Sequence, residues 1–156
     1  MKKAIIYVSA VVLVCALDIL PFTGTDVAKL QPVEVLIVQQ VGNQFLVCTE
    51  SGLSGYGESI PLALDDLKLT ASGEVFLDTA EYLLLTARCL DEIGILWQYL
   101  RPACQVYLLE GEGEFMNIAK YLESHPSDTT LLDCMRKERE IPRLVIQNGV
   151  YRLVGQ

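Results

Sequence analysis

The stretch VEVLIVQQVGNQFLVCT, residues 33–49, decides the fold class of this chain. Residues 33–38 are rich in β-branched side chains, and residues 44–49 form a second run of the same kind. Gly42-Asn43 between them suits a two-residue hairpin turn with glycine at its first position. The stretch therefore predicts an N-terminal β-hairpin.

A second hairpin is predicted at the other end of the chain. Asn148-Gly149 is a stronger turn signal than Gly42-Asn43, and it is flanked by apolar residues 144–146 and by residues 150–154, which are apolar except for Arg152. The pattern predicts a C-terminal β-hairpin.

Between the hairpins the apolar residues recur at helical spacing. Four predicted helices have the apolar faces Ile60, Ala63, Leu64 and Leu67; Ile93, Leu96, Trp97 and Leu100; Phe115, Ile118, Ala119 and Leu122; and Leu131, Cys134 and Met135. Ser59 is the predicted N-cap of the first helix, and the fourth is predicted to begin at Ser127 or Asp128. Strands fit residues 82–86 and 104–109, although Asp78 is an alternative cap for a helix at the first of these. This order predicts an α/β (α+β) fold, a single domain whose mixed β-sheet has flanking helices and N- and C-terminal hairpins.

The N-terminus has the build of an export signal. Lys2 and Lys3 precede an apolar run over residues 4–17 that Asp18 ends. A membrane-spanning helix needs about 20 apolar residues, so the run is short for one. The predicted divisions are a signal peptide or membrane anchor at residues 1–16, an N-terminal linker at 17–31 and an α/β domain at 32–156.

Three alternatives describe how this N-terminal segment is processed. We favour cleavage after Ala16, because Val14 and Ala16 are small enough for a signal peptidase. The second is an uncleaved membrane anchor. The third is lipidation of Cys15, disfavoured because Val14 occupies a position that usually holds Gly, Ala or Ser. Each predicts an extracytoplasmic protein, secreted or anchored at the outer face of the cytoplasmic membrane.

The net negative charge of the chain excludes some classes of binding partner. The chain has 20 acidic and 12 basic residues, and loss of Lys2 and Lys3 with the signal leaves 20 and 10, a net charge near −10. Such a domain repels polyanions, so no nucleic acid is predicted as a partner. Membrane contact is predicted only through the N-terminal segment, because anionic headgroups repel the rest.

Five cysteines occur, without a Cys-x-x-Cys pair or a zinc-ligand spacing. If the compartment is oxidising, Cys48, Cys89, Cys104 and Cys134 could form two disulfides in any of three pairings. We favour buried free thiols, because Cys48 and Cys104 each lie in an apolar strand-like run.

Several segments resemble one protein family. They are Thr25-Asp26-Val27-Ala28-Lys29-Leu30; Gly55-Tyr56-Gly57-Glu58-Ser59 with Ala63 and Leu67; residues 75–83; Arg101; and Ile141-Pro142. In this order they resemble the N-terminal domain of the spore germinant-receptor C-subunit family, membrane-attached lipoproteins of spore-forming bacteria, over most of residues 25–156. The resemblance implies a non-enzymatic, envelope-associated module with a binding role.

The polar motifs favour structural roles. His125, the only histidine, precedes a proline at a predicted helix end, and nothing around it resembles a nucleophile elbow. The other motifs considered are the Glu110-Gly111-Glu112-Gly113-Glu114 run for calcium, Gly55-Tyr56-Gly57 for phosphate, Asp65-Asp66 and Asp91-Glu92 for acid–base chemistry, and Arg136, Lys137, Arg139 and Arg143 for an acidic partner or headgroups. We interpret the glutamate–glycine run as a solvated turn and Gly55-Tyr56-Gly57 as a turn into the first helix. The adjacent carboxylates point in different directions on a helix, and the basic residues form an exposed helix face.

The sequence therefore predicts an exported, envelope-associated, non-catalytic binding or assembly module with a role in sporulation or germination. Its expected partner is an envelope or membrane protein, and no catalytic residue, metal or cofactor is assigned. The alternative is a small extracytoplasmic hydrolase that uses Asp and Glu residues. A thiol-dependent envelope protein is a third hypothesis, disfavoured by the missing Cys-x-x-Cys pair.

Overall fold

The two predicted hairpins are present and belong to one sheet. The computed structural model describes residues 29–111, 113, 115, 117–147 and 149–154. The strands are β1 Leu30–Pro32, β2 Val35–Val41, β3 Gln44–Thr49, β4 Ser54–Gly57, β5 Glu74–Phe76, β6 Tyr82–Leu85, β7 Gln105–Glu110, β8 Arg143–Gln147 and β9 Val150–Val154. The helices are α1 Ile60–Thr70, α2 Ile93–Leu96, α3 Ile118–Ser124 and α4 Leu131–Arg136.

The main sheet has seven strands in the order β4-β3-β2-β6-β7-β8-β9. Neighbouring strands among β2, β6, β7 and β8 are parallel, whereas β3 and β4 at one end and β9 at the other are antiparallel. A separate parallel pair joins β1 to β5. The predicted class, a single α+β domain with a mixed sheet, is confirmed.

Both hairpin turns use glycine where the chain needs a positive φ. Gly42 has φ 63° at the first turn position, which is the geometry expected when glycine comes first. Gly149 has φ 74° before β9, and Asn148 lies outside the described residues. Turn chemistry and strand pattern therefore agree at both hairpins.

Each face of the sheet carries its own apolar cluster, because side chains alternate along every strand. The first face includes Leu36, Val38, Val47, Leu83, Leu85 and Val106, and it packs against buried residues of α1, α2 and α4. The second face includes Val35, Ile37, Leu84, Tyr107, Leu109, Leu144 and Ile146, and α3 packs against it through Ile118 and Leu122. Fully buried strands with apolar residues on both faces are typical of parallel sheets.

Two helix boundaries differ from the prediction. Helix α3 begins at Ile118 instead of Phe115, because Asn117 precedes it with a left-handed φ of 66°. Helix α4 begins after Thr130 instead of at Ser127 or Asp128. Thr130 and Asp133 form a capping box there, since each side chain accepts a hydrogen bond from the other residue's backbone N–H.

The second predicted helix and one predicted turn also need correction. A 3-10 segment over Ala87–Glu92 leads into α2, which has four residues. The segment Gly55-Tyr56-Gly57 is not a turn; it belongs to strand β4, which packs closely against α1. At the position where Asp78 offered a helix cap, a 3-10 turn over Leu77–Thr79 leads into β6, so the predicted strand is present.

Strand β1 begins at Leu30, within the segment predicted as a linker. The predicted signal and the lipidation candidate Cys15 lie outside the described residues. Within the described part of the chain, no helix is long and apolar enough to cross a membrane.

Candidate functional site

The outer end of the first face is a shallow groove on the C-terminal hairpin. Its lining residues are Val145, Gln147, Val150, Arg152 and Val154, and its volume is about 360 Å³. Val150 is 64% exposed and Val154 47% exposed, although both are apolar strand residues. We refer to these five residues as the hairpin face.

The hairpin face follows from the register of β8 and β9. Val145 lies opposite Arg152, and Gln147 lies opposite Val150. Alternate residues of β9 point to the other side, where Tyr151 and Leu153 pack against the second cluster. One side of the hairpin is therefore half-buried beside α3, and the other is exposed.

Two arginines lie in or next to the hairpin face. Arg152 lies in it, and Arg143 stands at its edge with its Nη1 atom 3.5 Å from Glu110 Oε1. Both partners of this ion pair are exposed, so the pair contributes little to stability. Arg139 donates to the backbone oxygen of Asp128 at 2.9 Å. The basic concentration seen in the sequence thus lies at the end of α4 and the start of β8.

The edge of the sheet beside the hairpin face is partly blocked. The hydroxyl oxygen of Tyr121 in α3 accepts the N–H of Leu153 at 3.2 Å, and its ring lies 5.4 Å from that of Tyr151. An unpaired edge strand invites another strand to pair with it. Tyr121 occupies one of the positions that such a strand would use.

His125 has local partners that account for its position. It follows the last residue of α3, its Nδ1 atom lies 3.0 Å from the backbone oxygen of Tyr121, and its ring stacks on the Tyr121 ring at 4.4 Å. The predicted helix-end position is confirmed.

Four carboxylates gather at the amino end of the parallel strands. Burial, followed by the charges of Glu50, Glu81 and Glu123, raises the pKa of Glu34. Glu50 accepts the backbone N–H groups of Glu34 and Val35 at 3.2 and 2.9 Å, which links β2 to the loop after β3. The cluster is exposed apart from half-buried Glu50.

The other carboxylate motifs are dispersed. Glu110 contacts Arg143, while Glu112 and Glu114 lie outside the described residues. Asp66 accepts the N–H of Tyr56 at 2.9 Å, whereas Asp65 pairs with Lys68. Asp91 is exposed and Glu92 half-buried in the 3-10 segment before α2. Over the described ranges, no group of three His, Cys, Asp or Glu residues is placed to hold a metal ion.

The glycines considered for phosphate binding have a packing role. A Cβ atom on Gly55 would overlap the backbone of Leu67 and Ala63 in α1. A Cβ atom on Gly57 would lie 2.5 Å from the backbone nitrogen of Ala63. Strand β4 and helix α1 therefore approach each other closely only because both positions are glycine.

A buried polar cluster was missed by sequence reasoning. The Tyr107 hydroxyl donates to Gln105 Oε1 at 2.8 Å and accepts the N–H of Ser127 at 2.9 Å. Burial raises the pKa of Tyr107 to about 12. Tyr107 and Ser127 are 20 positions apart, so only the predicted strand that contains Tyr107 was visible in the sequence.

The hairpin face was also missed, although its elements were predicted. Val150 and Val154 alternate with Tyr151 and Leu153, which was a signal that both sides of this strand carry apolar residues. Nothing in the sequence indicated how far the first-face helices extend over the sheet.

Four cysteines are described, and all are free thiols. Cys89 and Cys104 are buried, while Cys48 and Cys134 are half-buried. Cys48 packs on the second face, whereas the other three belong to the first-face cluster. Each of the three predicted double pairings joins Cys48 to a cysteine across the sheet, so the fold contradicts two disulfides among these four.

No protein-family model, curated protein or solved structure matches this chain.

Proposed function

We propose that this chain is an exported, envelope-associated, non-catalytic binding or assembly module that docks a protein partner on its hairpin face. The observation that carries the proposal is the exposure of Val150 and Val154 in a groove on the edge strand β9 and its partner β8. Exposed contiguous apolar surface, rimmed by polar groups, is typical of protein interaction sites.

The chemistry of the groove indicates the kind of partner. Val145, Val150 and Val154 offer apolar contact, and Arg152 sits opposite Val145 between the two exposed valines. A complementary surface would bring an apolar side chain and a carboxylate, because arginine binds carboxylates with two parallel hydrogen bonds. We propose an envelope or membrane protein as the partner.

The setting of the proposal comes from the sequence. The cationic and apolar N-terminus supports export, and the resemblance to the spore germinant-receptor C-subunit family supports a role in sporulation or germination. An acidic domain of net charge near −10 would avoid nucleic acids and anionic membranes.

Site-specific cross-linking tests the proposed surface. A photoreactive amino acid replaces Val150 in one variant and Leu69, which is 84% exposed on α1, in a control. We expect a cross-linked envelope protein from position 150 only, and its loss when Arg152→Glu is added. Equal cross-linking from both positions, or none from position 150, would contradict the hairpin face as the site.

Export is tested separately on the full chain. We expect the intact mass of the exported protein to lack residues 1–16, and protease added outside the cytoplasmic membrane to digest the domain. Protection of the domain from that protease until the membrane is opened would overturn the extracytoplasmic assignment.

The alternative function is a hydrolase that uses the acidic cluster. The gathering of Glu34, Glu50, Glu81 and Glu123 favours it, since burial and these neighbouring carboxylates raise the pKa of Glu34, which is the direction that a general acid requires. Hydrolysis of a glycoside or ester panel that Glu34→Gln abolishes, and that Asp65→Asn leaves intact, would support this alternative. We prefer the binding module, because Glu50 is occupied by backbone amides and the remaining carboxylates are exposed.

A further inference from the structure

Helix α4 is fixed to the segment that leads into β7. The N–H of Leu131 donates to the backbone oxygen of Cys104 at 2.8 Å, and the N–H of Leu132 donates to that of Pro102 at 3.1 Å. Thr130 forms an antiparallel bridge with Gln105, next to these contacts. The first turn of α4 therefore lies directly against the backbone of Cys104.

Cys134 lies on the side of α4 that faces this segment. It is three residues after Leu131, so the two side chains share one side of the helix, and Leu131 is fully buried in the first-face cluster. Cys134 packs against the same cluster that contains Cys104. Burial raises the pKa of the Cys104 thiol, the Arg101 charge opposes this effect, and the charge of Cys134 adds to it.

The other described cysteines are excluded as partners by their positions. Cys48 is across the sheet, on the second face. Cys89 follows the carboxyl end of β6, whereas Cys104 precedes Gln105, which pairs with Tyr82 at the amino end of that strand. One pair thus remains on the same face and at the same end of the sheet.

We propose that Cys104 and Cys134 form an intramolecular disulfide when the domain folds in an oxidising compartment. The bond ties the start of β7 to α4. In the cell it rests on the proposed extracytoplasmic location, because cytosolic reductants would keep the thiols reduced. In vitro it depends only on the geometry of the folded chain.

The oxidant is a second disulfide, either of a thiol oxidoreductase or of a small molecule such as oxidised glutathione. The thiolate of Cys134, the more exposed of the two, attacks that disulfide and releases one thiolate of the oxidant. The thiolate of Cys104 then attacks the Cys134 sulfur of the mixed disulfide and releases the second. Two cysteine S–H bonds are lost, one S–S bond forms, and the oxidant takes up the two electrons and two protons.

Burial makes this reaction slow in the folded, reduced protein. It raises the pKa of Cys134 to about 11 and that of Cys104 to about 12, so the attacking thiolates are scarce at neutral pH. We therefore place bond formation during folding, as α4 comes against the Cys104 segment and while both thiols are still accessible to the oxidant.

Oxidative refolding tests the pair. The full chain, unfolded and reduced, is refolded with reduced and oxidised glutathione, and its mass and free thiols are measured. We expect a monomer about 2 Da lighter, with three of its five cysteines open to alkylation. The bond closes a loop of about 30 residues, so we expect a melting temperature higher by roughly 10 °C than that of the reduced chain.

Cys134 and Cys48 are both half-buried, so a substitution at Cys48 is a matched control for one at Cys134. Cys134→Ser should remove both the mass loss and the rise in melting temperature, whereas Cys48→Ser should retain both. Peptide mapping identifies the bond without any variant of the pair. Because Cys89 and Cys104 fall on one tryptic peptide, mapping uses a Cys89→Ser chain.

Two results would overturn the proposal: a refolded chain that keeps five thiols, or a map in which Cys134 is bonded to another cysteine. If the bond forms in vitro but protein recovered from cells has free thiols, the proposed extracytoplasmic location is contradicted. The pairing of Cys104 with Cys134 would still be established by the in vitro result.

Discussion

Replacing Gly55 by alanine tests the close packing that joins β4 to α1. The added Cβ atom would overlap the backbone nitrogen of Leu67 and the backbone oxygen of Ala63, and would lie 2.7 Å from the Cα atom of Leu67. Because backbone lies on both sides of this contact, no side-chain rotation can relieve it. Helix and strand must instead move apart by about 1 Å to restore an ordinary van der Waals distance.

The expected effect is large for the addition of one methyl group. Overpacking typically costs about 1–3 kcal/mol, and we expect about 3 kcal/mol here because α1 supplies four residues to the first-face cluster. For a chain of this length, that loss lowers the melting temperature by about 10 °C. Urea unfolding followed by circular dichroism measures the change in the free energy of unfolding.

Gly94→Ala is the matched control. Gly94 lies in α2, and nothing is within 4 Å of the position that its Cβ atom would occupy. Alanine is the better helix former, so this variant should match the wild type or gain up to about 1 kcal/mol. If Gly55→Ala is as stable as the wild type to within about 0.5 kcal/mol, the close approach of β4 and α1 is refuted, and the loop interpretation of Gly55-Tyr56-Gly57 regains its place.

Three further predictions concern hydrogen bonds. Tyr107→Phe removes a buried hydroxyl that donates to Gln105, and urea unfolding should show a loss of about 1–2 kcal/mol. Hydrogen bonds from Thr130 hold the pKa of Asp133 below its ordinary value of 3.8, so its ionised form stabilises the fold above that pH and the effect disappears as the pH falls through the lowered pKa. The stability difference between wild type and Asp133→Asn should accordingly shrink below pH 3.8 in urea titrations, and a difference independent of pH would contradict this role. Tyr121→Phe removes the acceptor at the sheet edge, so light scattering should detect larger species than for the wild type at equal concentration, and unchanged mass would show that the edge needs no such protection.

The two hairpins were predictable because local signals agree there. The Gly42 turn needs a positive φ that glycine adopts without strain, and the flanking runs have the alternation or β-branched content of strands. The strand over Gln105–Glu110 was predictable because consecutive apolar residues suit the buried centre of a parallel sheet. The strand over Tyr82–Leu85 has the same kind of run, but Asp78 left a helix open as the alternative there.

Strand β4 could not be predicted from its own residues. Its sequence Ser54–Gly57 has two glycines, which disfavour strands. The segment adopts the strand conformation because β3 pairs with it and α1 packs on it. The predicted start of α4 was wrong for a related reason. Ser127 and Asp128 are good N-cap residues, but the Ser127 N–H bonds to the Tyr107 hydroxyl, so the helix begins later at Thr130.

The hairpin face could not be predicted from the sequence for a different physical reason. The alternation in Val150–Val154 fixes which side chains share a face, but whether that face is covered depends on helices distant in sequence. Helix α4 ends at Arg136 and packs near Cys104, at the amino end of β7, so it leaves the hairpin face open. Coverage of a sheet is a tertiary property that local patterns do not encode.

The two sides of β9 differ in a way that favours docking through its face over pairing along its edge. On the edge, the Tyr121 hydroxyl already accepts the N–H of Leu153, so an added strand would have to displace it. On the face, Val150 and Val154 meet only solvent over much of their surface, and burying them releases ordered water at no cost in hydrogen bonds. A partner held by side chains has its register set by Arg152, which can pair with one carboxylate at a time, whereas a partner held by backbone alone could slide. Binding through the hairpin face would therefore be specific, while the edge resists indiscriminate strand addition.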